Sequence, residues 1–165
     1  MYKPKSNRRS FMRGSFAGTL AVGTATLFLP AGATGAQGAQ KKVITRPGQT
    51  ITPATVLSPA IQFGGLLFVS GAGAHDPDTH KVVPGPISNQ VKQCLENLKA
   101  VLVAGGSSLD KVLKCTVFLT DIANFQAMNE VYHQYFLTNP PARSTMAVKD
   151  LPGESPVEIE CIAYV

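Results

Sequence analysis

The sequence has no apolar run long enough to cross a bilayer. The best candidate, Gly14 to Leu29, is sixteen residues diluted by Gly and Thr, short of the ~20 a spanning helix needs. Cysteine is scarce: Cys94, Cys115 and Cys161 are the three present, with no CxxC. Their wide spacing does not match a zinc site, and they read as buried small hydrophobes, with one disulfide as the alternative in an oxidising compartment. The histidines, His75, His80 and His133, are scattered. No metal site is expected, and His75-Asp76-Pro77-Asp78 reads as a solvated loop. Gly71-Ala72-Gly73 does not open directly into a helix, which excludes a dinucleotide fingerprint. Ser70 has no suitably placed His and acid, so a hydrolase triad is unsupported.

Acid is missing altogether from residues 1–33, which carry Lys3, Lys5, Arg8, Arg9 and Arg13. A basic start, a modest apolar stretch and the small residues Pro30-Ala31-Gly32-Ala33 are the order of an export signal. Asn7-Arg8-Arg9-Ser10-Phe11-Met12-Arg13 resembles a twin-arginine motif. The expectation is a signal over 1–33, cleaved after Ala33, Ala36 or Ala39, and a periplasmic or secreted protein that meets the membrane only during export. Of the fifteen Lys and Arg, five lie in this stretch and ten beyond it, where all ten acids also lie. The remainder is formally neutral, although the whole chain has a pI near 9.2. Nucleic-acid binding needs concentrated Lys and Arg, so none is expected.

Residues 34–42 are, after Thr34, Gly, Ala, Gln and Lys, a flexible tail. One domain is expected over 43–165. Ala60-Ile61-Gln62-Phe63 and Leu66-Leu67-Phe68-Val69-Ser70 flank Gly64-Gly65, a hairpin signal. Ile87, Val91, Cys94, Leu95, Leu98, Val101 and Leu102 recur at helical spacing, with Ser88 as the expected N-cap and Gly105-Gly106 as the stop. A strand is expected over Val112–Thr120 and a second helix over Asn124–Leu137, broken by Asn139-Pro140-Pro141. Strands over Arg143–Val148 and Val157–Val165 then form a closing hairpin. In the last strand Val157, Ile159, Cys161, Ala163 and Val165 face one way, and Glu158, Glu160, Ile162 and Tyr164 the other. The pattern gives an α+β fold, a mixed sheet with two helices on one face. The other face is left to be solvated or to close against further copies.

Two residues stand out chemically. Arg143 follows Pro140-Pro141-Ala142 at a strand entrance, where its fork suits a carboxylate; a surface Arg is the alternative. Glu158 lies within an apolar strand, where a half-buried carboxyl gains a raised pKa and can activate water; a wet strand face is the alternative. If the last two strands pair with Val148 opposite Val157, Arg143 and Glu158 share a face ~13 Å apart. One small ligand cannot touch both within a chain at that distance. A site shared between subunits, or a different register, removes the difficulty.

Phe68-Val69-Ser70-Gly71, then Val117-Phe118-Leu119-Thr120-Asp121 with Phe125 and Asn129, then Pro141-Ala142-Arg143-Ser144, then Val157-Glu158-Ile159-Glu160 occur in one order along the chain. In that order they resemble the reactive-intermediate deaminase (Rid, YjgF-type) family. The resemblance implies a chorismate-mutase-like fold and a homotrimer with sites between subunits. It implies hydrolysis of 2-imino or enamine acids to 2-keto acids and ammonia, with no metal and no cofactor. In that reading Arg143 clamps the substrate carboxylate and Glu158 positions the water and moves protons. Gly71 and Thr145 supply backbone contacts, while Ser70 and Asn129 line the cleft. Thr145 stands where archetypes have Cys, and Ala60 where they have a Tyr that closes over the ligand. The alternatives are a non-catalytic trimeric binder of small carboxylates and a ribonuclease or translation inhibitor.

Overall fold

Gly64, in the left-handed region at φ 60°, reverses the chain between β2 (Ala60–Phe63) and β3 (Leu66–Gly73), and the two pair with Phe63 opposite Leu66. This hairpin lies towards one edge of the sheet in a computed structural model that describes residues 40–46 and 48–165. The expected export signal lies outside the described residues. A short strand ahead of the hairpin, β1 (Lys42–Ile44), adds to β2 antiparallel; no sequence signal marks it.

The apolar stripe read from the sequence forms α1 (Ile87–Ala104), which buries Val91, Cys94, Leu95, Leu98, Val101 and Leu102. Each buried aliphatic of this kind contributes about 1.5–3 kcal/mol. The helix starts at Pro86 with no side-chain cap, so Ser88 lies inside it and is not the N-cap. Pro there loses nothing, because the first N–H groups have no intrahelical partner. At the other end Gly105 takes bonds back to Val101 and Leu102. A Cβ on Gly105 would lie 2.5 Å from Leu67 Cδ2, so glycine lets the helix end sit directly on the sheet.

β4 (Val112–Leu119), α2 (Phe125–Tyr135), β5 (Ala142–Ala147) and β6 (Val157–Tyr164) complete the order. The strands run β1-β2-β3-β6-β4-β5 across one six-stranded sheet. The closing hairpin is not formed. β6 inserts between β3 and β4, antiparallel to both, while β5 runs parallel to β4 at the sheet edge. The residues explain the exchange. Alternate positions of β6 are Val157, Ile159, Cys161 and Ala163, all buried, and that row is satisfied at the centre of the sheet. β5 reads Ala-Arg-Ser-Thr-Met-Ala, with no position fully buried, and polar strands suit edges.

Both helices contribute to one core with the inner sheet face, as the α+β pattern requires. Among the described residues, the outer face carries no helix. Phe68 and Tyr164 are 41% and 44% exposed there, beside Glu158, Glu160 and Ile162. The three cysteines are buried and free, and burial pushes each thiol's pKa up, which keeps them unreactive.

Candidate functional site

β5 and α2 hold Arg143. Directly opposite Cys115 on β4, it points to the helix-covered side of the sheet, where Phe125, Met128, Asn129 and Tyr132 of α2 wait. Its guanidinium lies 4.5 Å over the Tyr132 ring and 5.8 Å from that of Phe125. Nη2 donates to Asn129 Oδ1 at 2.6 Å, and Nη1 meets Met128 Sδ at 3.9 Å. Every one of these partners is neutral, and the ion pair among the described residues, Lys99 with Glu96, is elsewhere. The remaining donors open on a cleft of about 440 Å³ lined by Asn129, Tyr132, His133, Phe136, Pro140 and Pro141. A cationic fork held by neutral groups, with donors to spare, is a receptor for an anion. Thr145, two residues on, shares this side of β5, and its Oγ1 is buried with no hydrogen-bond partner.

Glu158 belongs to a second cluster. It stands opposite Phe118 on β4 and Gly73 on β3, three positions along β4 from the Arg143 level. An odd offset puts Arg143 and Glu158 on opposite faces of the sheet, not on one face as symmetric pairing of the last two strands required. With β4 between them, their backbones are on the order of 14 Å apart. The conclusion that one small ligand cannot touch both within a chain therefore stands, for a different reason.

Around Glu158 the ladder between β3 and β6 is broken. Val69 pairs with Cys161 and Ala72 with Ile159, so Ser70 and Gly71 together face the single residue Glu160, a β-bulge. Ser70 is locked by its hydroxyl, which donates to the Ser58 carbonyl at 2.7 Å. Gly71 is open above, and the Glu158 side chain lies across it: a Cβ there would overlap the carboxylate, 2.5 Å from Cδ. Burial, and then the neighbouring Glu160 charge, raise the Glu158 pKa above the ordinary carboxylate range. A carboxyl whose pKa is raised by burial is suited to taking and returning a proton.

The six predicted residues thus fall into two half-sites, Arg143 with Asn129 and Thr145, and Glu158 with Ser70 and Gly71. Ala60 is fully buried in β2. Sequence reasoning missed the bulge and misread His75. Asp76 does form the expected turn, accepting from Thr79 and Asp78. His75 instead folds back on the sheet and bonds the Gly153 carbonyl at 2.8 Å. Its spacing of two from Gly73 and four from Gly71 is the signal that would have put it on the Glu158 face.

Comparison with known proteins identifies the family. A family model described as Endoribonuclease L-PSP matches residues 47–165. A RutC family protein of Pyrococcus horikoshii is 48% identical over 107 residues, 65% of this chain and 85% of the relative. Reactive Intermediate Deaminase A, chloroplastic, of Arabidopsis thaliana is 42% identical over 106 residues, 64% of this chain and 57% of that one. Among solved structures, the Rid-family protein YyfA of Yersinia pestis superposes with a TM-score of 0.69 at 41% identity, covering 76% of this chain and 100% of its own. E. coli TdcF, solved with bound serine, gives 0.67 at 36%, covering 75% and 98%. With a family model matched over residues 47–165 and relatives of this identity and extent, the chain belongs to the Rid/YjgF/L-PSP family.

Proposed function

We propose that this protein hydrolyses 2-imino and enamine acids to 2-keto acids and ammonia, in sites assembled between neighbouring copies of a homotrimer. The observation that carries the reading is Arg143, a part-buried cation held only by neutral groups, with donors turned to an open cleft. A substrate carboxylate completes it bidentately. Glu158, the other half-site, supplies the proton chemistry. As carboxylate it accepts a proton from water as the oxygen adds to the imine carbon. The resulting acid gives that proton to the nitrogen, forming a hydroxy-amine. The carboxylate then takes the hydroxyl proton and passes it to the nitrogen, so that the C–N bond breaks, ammonia leaves and the keto group forms. An enamine first gains a proton at carbon and loses one from nitrogen to give the same imine.

Placing the half-sites on different copies removes the gap of ~14 Å between them. The exposed apolar outer face, with Phe68 and Tyr164, supports burial against other copies. Residues 1–33 support export before the protein acts, by their basic start, apolar stretch and small-residue end. Formal neutrality beyond Ala33 counts against RNA as the substrate.

The test uses protein beginning at Thr34 in an L-amino-acid oxidase reaction, with semicarbazide trapping the surviving imine. Wild type should sharply lower trapping, and Arg143→Ala and Glu158→Ala should not. Unchanged trapping by wild type across several imino acids would reject catalysis and leave a carboxylate-binding cleft without turnover.

A further inference from the structure

Three glycines around Glu158 are each occupied from above by a side chain. Gly71 lies under Glu158. Gly73 lies under His75, whose Nδ1 is 2.8 Å from where a Gly73 Cβ would stand, and Gly153 lies under the same ring, with Nε2 at 2.6 Å from its Cβ position. Gly71, Gly73 and His75 alternate along one strand direction, so their upper sides share the outer face at spacings of ~6.6–7 Å. Glu158 is directly opposite Gly73. The carboxylate and the imidazole are therefore adjacent tenants of one strip of glycine backbone.

The backbone beneath is fixed from the core side. Asn97 of α1 donates to the carbonyls of Gly73 and His75 at 3.0 and 2.8 Å. Ser155, 1% exposed, accepts from Ala74 N–H at 2.9 Å and donates to the Val157 carbonyl at 2.6 Å. On the site side, the tie between this strand end and the segment entering β6 is the His75 bond to Gly153, at 2.8 Å. Gly153 has φ 65°, a left-handed turn that sets how the chain approaches Val157 and Glu158.

The geometry points to His75 as a positioning residue for Glu158: clamped over Gly73 and Gly153, it holds the loop entering β6 so that the carboxylate rests over Gly71. The assignment rests on the proton-transfer role given to Glu158 above. Charge agrees with it. The titratable groups facing Glu158 are Glu160 on β6 and His75 just beyond β3; β4 presents Phe118, and the Cys94 thiol of α1 is buried on the other side of the sheet. Of these, His75 lowers the Glu158 pKa, opposing burial and Glu160.

Two measurements on the whole protein test the assignment. A ¹³C NMR titration of the Glu158 carboxyl, identified by its loss in Glu158→Gln, should move to higher pH in His75→Val and His75→Gln. In the trapping assay, His75→Val should lower kcat about tenfold with KM within about twofold. His75→Gln keeps an N–H for Gly153 and should recover most of kcat while its titration stays displaced. Gly153→Ala, which pushes the ring away without altering it, should reproduce His75→Val. An unmoved titration with unchanged kcat in both His75→Val and Gly153→Ala overturns the assignment. Full activity in Glu158→Gln would instead reject the role of Glu158, and the titration alone would then decide whether His75 governs that carboxyl.

Discussion

Alanine at Gly71 would place a Cβ 2.5 Å from Glu158 Cδ and 2.9 Å from its Cγ. Gly71 is not among the glycines with positive φ, so the backbone accepts alanine and the conflict is with the carboxylate alone. An ordinary carbon contact is about 3.5–4 Å, so the end of the Glu158 side chain must retreat by about 1 Å or more. A misplacement of that size at a reacting group costs about 10²-fold in rate. The fold loses little. An off-rotamer side chain costs about 0.5–1.5 kcal/mol, and replacing glycine by alanine at a compatible position returns about 0.4–1 kcal/mol. Gly71→Ala should therefore melt within about 6 °C of wild type while its kcat/KM for imine hydrolysis falls about a hundredfold. Semicarbazide trapping gives the rate, and thermal unfolding by circular dichroism gives the melting temperature. Activity within threefold of wild type would refute the inference that Glu158 acts from its place over this glycine.

Two further expectations concern the separate halves of the site. Asn129→Ala removes the acceptor 2.6 Å from Arg143 Nη2; a bond to a charged group is worth about 1.5–3 kcal/mol, and steady-state kinetics should show KM rising about tenfold with a smaller fall in kcat. An unchanged KM would mean that Asn129 does not set the arginine. Burial raises the folded-state pKa of Glu158 above its unfolded value, so its contribution to stability is full below the unfolded value and is lost as pH rises through the folded one. Glu158→Gln should thus melt higher than wild type near pH 8, on the order of 2 °C given solvent screening, and the gap should close below about pH 4. A wild type that melts higher than the variant at pH 8 would contradict this.

What the sequence discloses is mostly local. The Gly64-Gly65 hairpin and the α1 stripe depend on residues close in the chain, and both form as read. The partner of β6 depends on which strand most needs two covered neighbours, a property of the whole sheet. Adjacency suggested β5, whereas the buried row from Val157 to Ala163 placed β6 between β3 and β4. That one change of partner also reversed the relation of Arg143 to Glu158, because a residue's face is fixed by its register. β1 has three residues, Lys42–Ile44, too few to show a period. The candidate residues were legible as a set, through the order of four short motifs, but their division into two half-sites was not. Ser70 and Gly71 sit in a bulge, which shifts the register by one residue and leaves no mark in an alternating pattern.

The central claim is that Arg143 and Glu158 work together although no single copy brings them together. Subunit mixing tests it most directly. Arg143→Ala and Glu158→Gln, each inactive alone, are co-expressed with different tags, and doubly tagged oligomers are purified. If each site takes its arginine from one copy and its glutamate from the next around a ring of three, every doubly tagged trimer has both residues intact in about a third of its sites. The mixed oligomers should then recover about that fraction of wild-type imine hydrolysis. Mixed oligomers as inactive as their parents would contradict a shared site and require both groups to act within one chain.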